Sequence, residues 1–149
     1  MISVKKAEDK HVEAIYALIK ELALYEKAPE QVTNTAEQLR YDLFVDPICE
    51  AIVAEENDVV LGFALCYTSY STWKGRSLYL EDFYVSEQHR KRGIGQMLFD
   101  EVINMAKEKK VARMDWQVLE WNQLAIDFYK KNNSILDPEW VNGRMFFEV

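Results

Sequence analysis

From Lys10 onward, apolar residues fall at Val12, Ile15, Tyr16, Ile19, Leu22 and Ala23. Steps of three and four put them on one helical face, which predicts an amphipathic helix running to about Tyr25. "YEKAPEQVTN" breaks the stripe. Thr35, with Gln38 three residues later, has the spacing of a capping box, so a second helix carrying Leu39 and Leu43 is predicted, closed by Pro47. "CEAIVAEENDVVLGFALCYTSY" then reads as strand, tight Asn57-Asp58 turn and strand, an antiparallel hairpin. "ISVKKA" before the first helix and "RSLYLEDFYV" after the hairpin are further strands. A second clean helical stripe follows at Ile94, Met97, Leu98, Val102, Met105 and Ala106 and ends in the solvated "KEKK". "RMDWQVLEW" reads as a strand, "NQLAIDFYKK" as a short helix capped by Asn122, and "GRMFFEV" as a final strand. A hairpin followed by strand, helix, strand, helix, strand predicts an α/β domain. Its central sheet is mixed and mostly antiparallel, flanked by helices, with residues 1–149 forming one domain.

Composition narrows this little. A length of 149 residues with 49% hydrophobic and 29% charged residues suits one globular domain. The net charge of −7 argues against general nucleic-acid binding, which draws on a basic footprint, and suits a cationic ligand or plain solubility. Cys49 and Cys66 show no paired spacing, so buried free thiols in a reducing, cytoplasmic setting are expected. No segment has the pattern of a signal peptide or a membrane span. His11 and His89 have no partner at metal-ligand spacing, so no metal site is expected.

Against that acidic background, "YLEDFYVSEQHRKRGIGQML" places Arg90, Lys91 and Arg92 directly before Gly93-Ile94-Gly95, where a strand hands over to a helix. The first turn of a helix offers unpaired N–H groups and the positive end of the dipole, and glycines let the backbone approach a ligand closely. Three added cations suit a di- or polyphosphate. The stretch is neither a P-loop, lacking GxxxxGK[ST], nor the dinucleotide fingerprint, since Leu98 stands where a third glycine would be needed. A tight turn with solvated bases is the plainer reading of the same residues.

Arg90-x-x-Gly93-x-Gly95 resembles the R/Q-x-x-G-x-G/A signature of the GCN5-related N-acetyltransferases, which bind the pyrophosphate of acetyl-CoA there. "LIKELALYEKAPEQV", "GFALCYTSYSTW", "LYLEDFYV" and "EWNQLAIDFYKK" extend the likeness over roughly residues 2 to 147. They resemble the diamine (spermidine/spermine) and thialysine acetyltransferase branch. The resemblance implies acetyl-CoA as cosubstrate, held by Phe83, Tyr84, Val85, Arg90, Lys91, Arg92, Gly93, Ile94, Gly95, Gln96, Asn122, Tyr129 and Lys131. It further implies a small cationic amine as acceptor and a homodimer, while the acidic charge and the lack of a spanning run lead us to expect no nucleic-acid or membrane partner.

Acetyl transfer to an amine requires loss of a proton from an ammonium of pKa about 10.4, stabilisation of an oxyanion, and a proton for the departing thiolate. Two carboxylates inside an apolar strand are costly to bury, which marks Glu81 and Asp82 as site candidates or as strand-end ion pairs. Alternation along a strand predicts that Tyr79, Glu81, Phe83 and Val85 share one face. The resemblance implies that Glu81 is a general base acting through water, Asp82 part of the amine site, and Tyr129 the acid at the sulfur. By pattern alone, Tyr129 also fits an ordinary packing face. Tyr25, Glu26, Glu30 and Trp73 match residues bordering the amine site, although Glu26 and Glu30 also read as a solvated loop.

Three departures from the branch stand out. Ser71 occupies a position where polyamine enzymes carry Asp, which weakens selection for a second, distant ammonium. Asn132 or Asn133 must make the helix-ending turn usually made by glycine. "DPEWVNGRMF" matches only loosely. Protein lysine or N-terminal acetylation, and a non-catalytic acyl-CoA sensor, are the competing functions at this level.

Overall fold

A computed structural model describes all residues 1–149. It divides into two compact units, Met1–Gln117 and Val118–Val149.

The first unit carries a five-stranded sheet in the order β1 (Ser3–Lys6), β2 (Glu50–Glu56), β3 (Val59–Ser71), β4 (Gly75–Val85) and β5 (Arg113–Asp115). The first three pairings are antiparallel and the β4–β5 pairing is parallel. The β2–β3 turn is tight because Asn57 and Asp58 both take positive φ, 52° and 62°, a backbone their short polar side chains tolerate.

Helices α1 (Val12–Tyr25) and α2 (Ala36–Phe44) cover one face of the sheet. Val12, Ile15, Leu18, Leu39 and Leu43 pack there on Ala51, Val53, Phe63, Leu65 and Tyr84. Thr35 caps α2 by accepting a hydrogen bond from the Gln38 N–H at 3.1 Å, while the Gln38 side chain donates to Asp42. Helix α1 ends with Lys27 at φ 64°, the Ala28 N–H donating to the Ala23 carbonyl. Helix α3 (Ile94–Glu108) lies against β3 and β4 and buries Ile94, Leu98, Phe99 and Val102. Gly62 and Phe83 face it, each next in sequence to a residue of the α1 face.

A buried polar network ties β1, β2 and the turn before α1 together. His11 accepts from the Glu8 N–H through Nδ1, so its Nε2 donates to Glu55 at 3.0 Å, and Lys5 pairs with the same carboxylate. The lysine hydrogen bond leads in holding the Glu55 carboxyl below its usual range, with His11 adding to it.

In the second unit, α4 (Gln123–Lys131) starts at Asn122, whose side chain accepts from the Ala125 N–H at 3.2 Å. It ends with Asn133 at φ 62°, the Asn133 N–H donating to Lys130 and the Ser134 N–H to Tyr129. Asparagine thus takes the left-handed position of a Schellman turn.

Two strand expectations need correction. "RMDWQVLEW" is extended and paired only at Arg113–Asp115, after which Trp116 meets Phe99 edge-on at 5.7 Å. "GRMFFEV" forms no strand, and Met145, Phe146 and Phe147 are exposed. An apolar segment without a ladder partner has nothing to satisfy its backbone as a strand.

Candidate active site

The β3–β4 ladder runs Ala64↔Phe83, Leu65↔Asp82, then Cys66↔Leu80. Glu81 is therefore an extra residue, a β-bulge. It breaks the predicted alternation: Asp82 and Tyr84 share the α1 face with Leu65 and Phe63, and so does Tyr79 through its rung with Tyr67, whereas Phe83 points to α3. The expected common face of Tyr79, Glu81, Phe83 and Val85 does not exist, because one inserted residue reverses every side chain beyond it. On the other side, the β4–β5 ladder stops at Tyr79↔Asp115 while β4 continues to Val85. The sheet opens where the bulge lies.

Glu81 is exposed and Asp82 half-buried. Burial, then the nearby charges of Glu81 and Glu26, push the Asp82 carboxyl up to about 7. Glu26, just past the end of α1, is itself raised by burial. The fold thus gathers Glu26, Glu81 and Asp82. Glu30, in a short turn at Pro29–Gln31, is exposed. Trp73 is 81% exposed at the far tip of the β3–β4 hairpin. Six residue steps separate the Asp82 rung from Ser71, which puts Trp73 roughly 20 Å away along the strand. The Ser71 hydroxyl accepts from the Trp73 and Lys74 N–H groups, so it shapes that tip.

The three bases of the strand-to-helix corner do different work. Arg90 donates from Nε to the Val85 carbonyl at 3.3 Å and lies over the rings of Tyr25 and Tyr84, at 5.0 and 5.4 Å. Arg92 forks onto Glu56 at 2.8 and 3.0 Å. Lys91 is exposed, at φ 65°. Gly93 takes φ 78° and begins α3 without a side-chain cap, so the first-turn N–H groups at Ile94 and Gly95 stand outside the intrahelical ladder. A Cβ on Gly95 would lie 3.7 Å from the Phe83 ring, which brings this turn close to β4. The Gln96 side chain donates to Asp100.

Tyr84 is buried and donates its hydroxyl to Glu21 at 2.7 Å, with burial and that carboxylate both raising its pKa. Gly62 is a residue that sequence reasoning passed over. A Cβ there would meet the Tyr84 carbonyl at 2.8 Å, so only glycine lets β3 lie this close to β4. An isolated glycine inside a strand was the available signal. In the second unit Tyr129 is buried, Asn122 caps α4 and Lys131 is exposed in its last turn. A cavity of about 660 Å³ lies elsewhere, among Leu43, Phe44, Ile48, Cys49, Cys66 and Lys109. Burial raises both thiols, Cys66 to about 12, leaving them poor nucleophiles.

A bulged, splayed sheet with a glycine-led helix N-terminus beside it defines an acetyltransferase of the GNAT class. The profile of the Acetyltransferase (GNAT) family matches residues 12–133, through both units. The chain belongs to that family and is an acyltransferase. It is 39% identical to thialysine N-epsilon-acetyltransferase of Bos taurus, over 87% of this chain and 81% of the relative. It is 34% identical to spermidine/spermine N(1)-acetyltransferase-like protein 1 of Homo sapiens, over 89% of this chain and 20% of that protein. Among solved structures, AAC(6')-Iy with the bisubstrate analogue CoA-S-monomethyl-acetylneamine shares the fold at TM-score 0.83 and 16% identity, covering 99% of each chain.

Proposed function

We propose that this chain transfers acetyl from acetyl-CoA to a primary amine of a small cationic substrate, a diamine, polyamine, thialysine or lysine-like amino acid. The gathering of Glu26, Glu81 and Asp82 at the β4 bulge, on the strand that leads into the Arg90–Gln96 turn, carries the reading. Relatives named for thialysine and for spermidine/spermine support the substrate class.

The residues of the corner fit a pyrophosphate. The first-turn backbone at Ile94, Gly95 and Gln96 would hold it, with Lys91 an exposed cation and Arg90 and Arg92 adding charge. Phe83, Tyr84 and Val85 would lie along the pantetheine, and Asn122, Tyr129 and Lys131 would supply further contacts. Bound there, acetyl-CoA supplies an acetyl thioester. Glu81 takes the ammonium proton through a water molecule. The freed amine nitrogen forms the new bond to the acetyl carbon, and a β4 N–H stabilises the oxyanion. The bond to sulfur breaks, Tyr129 donates its phenolic proton to the thiolate, and the acylated nitrogen loses its second proton to solvent, from which Tyr129 recovers its own. Glu26, Glu30, Tyr25 and Asp82 would receive the cationic substrate. Transfer is direct, without an acetyl-enzyme, and needs no metal.

Trp73 lies too far along its own hairpin to touch the same amine, so its place beside the substrate belongs to a homodimer partner. Free thiols at Cys49 and Cys66 support a cytoplasmic setting.

Thiol release measured against spermidine, spermine, putrescine, thialysine, lysine and short peptides tests the reading. Turnover with a small amine is the expected result, and turnover restricted to peptides would replace it with protein acetylation. Glu81→Gln and Tyr129→Phe should each lower kcat about tenfold or more while leaving coenzyme A affinity nearly intact. Unaltered turnover in both variants removes the assigned roles.

A further inference from the structure

The parallel rungs Ser77↔Arg113 and Tyr79↔Asp115 put four side chains on the α1 face of the sheet, beside the bulge. Tyr67 joins them across β3, its ring 5.2 Å from that of Tyr79. Arg113 holds Asp115 through Nε alone, at 2.8 and 3.0 Å from the two carboxylate oxygens. That leaves the paired terminal nitrogens of the guanidinium for another planar anion. Ser77 lies on the same face, 1% exposed, and its hydroxyl has no hydrogen-bond partner among the described residues. At that burial the hydroxyl is closed to a ligand, so the partly exposed arginine–aspartate pair is the reachable part of the patch. The Glu81 charge reaches both tyrosines, so this patch and the reactive carboxylates adjoin.

Resting on the amine-acetylation reading, we propose that Arg113 and Asp115 recognise the α-carboxylate and α-ammonium of a basic amino acid whose side-chain amine is acetylated. Arg113 takes the carboxylate, and Asp115 takes the α-ammonium. Tyr67 and Tyr79 line the methylene chain, and the terminal amine reaches Glu81 and Asp82. The spacing agrees. Asp115 is one strand over and two residues back from Glu81, which is about 8 Å at the usual strand dimensions. A lysine side chain of four carbons and a nitrogen spans about 6 Å, and the reaching side chains cover the remainder. A polyamine has no group for the guanidinium, and its cationic chain is repelled there. This patch also compensates for Ser71: selection moves from a distant second ammonium to a nearby zwitterion.

The test compares thialysine, lysine, lysine methyl ester and cadaverine as acceptors for the wild type, Arg113→Gln and Asp115→Asn, with melting curves to verify folding. Calorimetric titration of lysine into the protein with coenzyme A adds a readout independent of turnover. Arg113→Gln should lower kcat/KM for thialysine and lysine at least tenfold, mostly through KM, lower the methyl ester less, and raise cadaverine by relieving the repulsion. Asp115→Asn should weaken all substrates that carry an α-ammonium. Equal losses on lysine and cadaverine, or a wild type that takes cadaverine as readily as lysine, overturn this assignment while leaving amine acetylation standing. A wild type that acetylates no amine overturns both.

Discussion

Asp82 is half-buried with two other carboxylates near it, and its pKa of about 7 has consequences for stability as well as binding. In the unfolded chain an aspartate titrates near 3.9. Between about pH 4 and 7 the folded protein therefore holds a proton that the unfolded chain has lost. Stability falls with rising pH across that window and then levels off. Asp82→Asn should raise the melting temperature, by an amount that grows from pH 4 to pH 7.5. A constant difference across that range would show that Asp82 keeps an ordinary pKa. A cationic substrate should reverse the penalty, since it favours the charged carboxylate, so its binding should release a proton near pH 7.

At the scale of elements, the bulge at Glu81, the glycine at 62 and the left-handed Gly93 set the geometry between sheet and helix. Gly62→Ala drives a methyl into the Tyr84 carbonyl and Leu98, and should cost about 1–3 kcal/mol, the usual range for overpacking. Gly93→Ala meets open space, so its cost of about 1–2 kcal/mol comes from backbone strain alone. Denaturant unfolding measures both. Only the Gly93 variant should lose coenzyme A affinity beyond its stability loss, because it alone reshapes the turn whose N–H groups stand outside the intrahelical ladder.

On the scale of the whole molecule, the acidic balance and the apolar exposure of Trp73, Trp140, Phe146 and Phe147 carry the last expectation. Exposed aromatics favour association, and a symmetric dimer is the commonest outcome. Sedimentation should give twice the 17.5 kDa chain mass at micromolar protein. A monomer under those conditions would also withdraw Trp73 from the amine site.

What the sequence by itself determined is local or periodic. The stripes of α1 and α3, the Asn57-Asp58 turn, the Asn122 cap and the left-handed asparagine after α4 each follow from a few neighbouring side chains. The glycine-led corner was legible for the same reason. What only the tertiary structure decided depends on register. One residue inserted at Glu81 put Asp82 on the α1 face, and the rung Tyr79↔Asp115 brought an arginine–aspartate pair to the bulge from more than thirty positions away. Arg90 and Arg92 read as equal phosphate ligands, yet Arg90 is stacked on Tyr25 and Tyr84 and Arg92 is held by Glu56. Cross-strand pairing and desolvation arise between distant segments, so no window along the chain contains them.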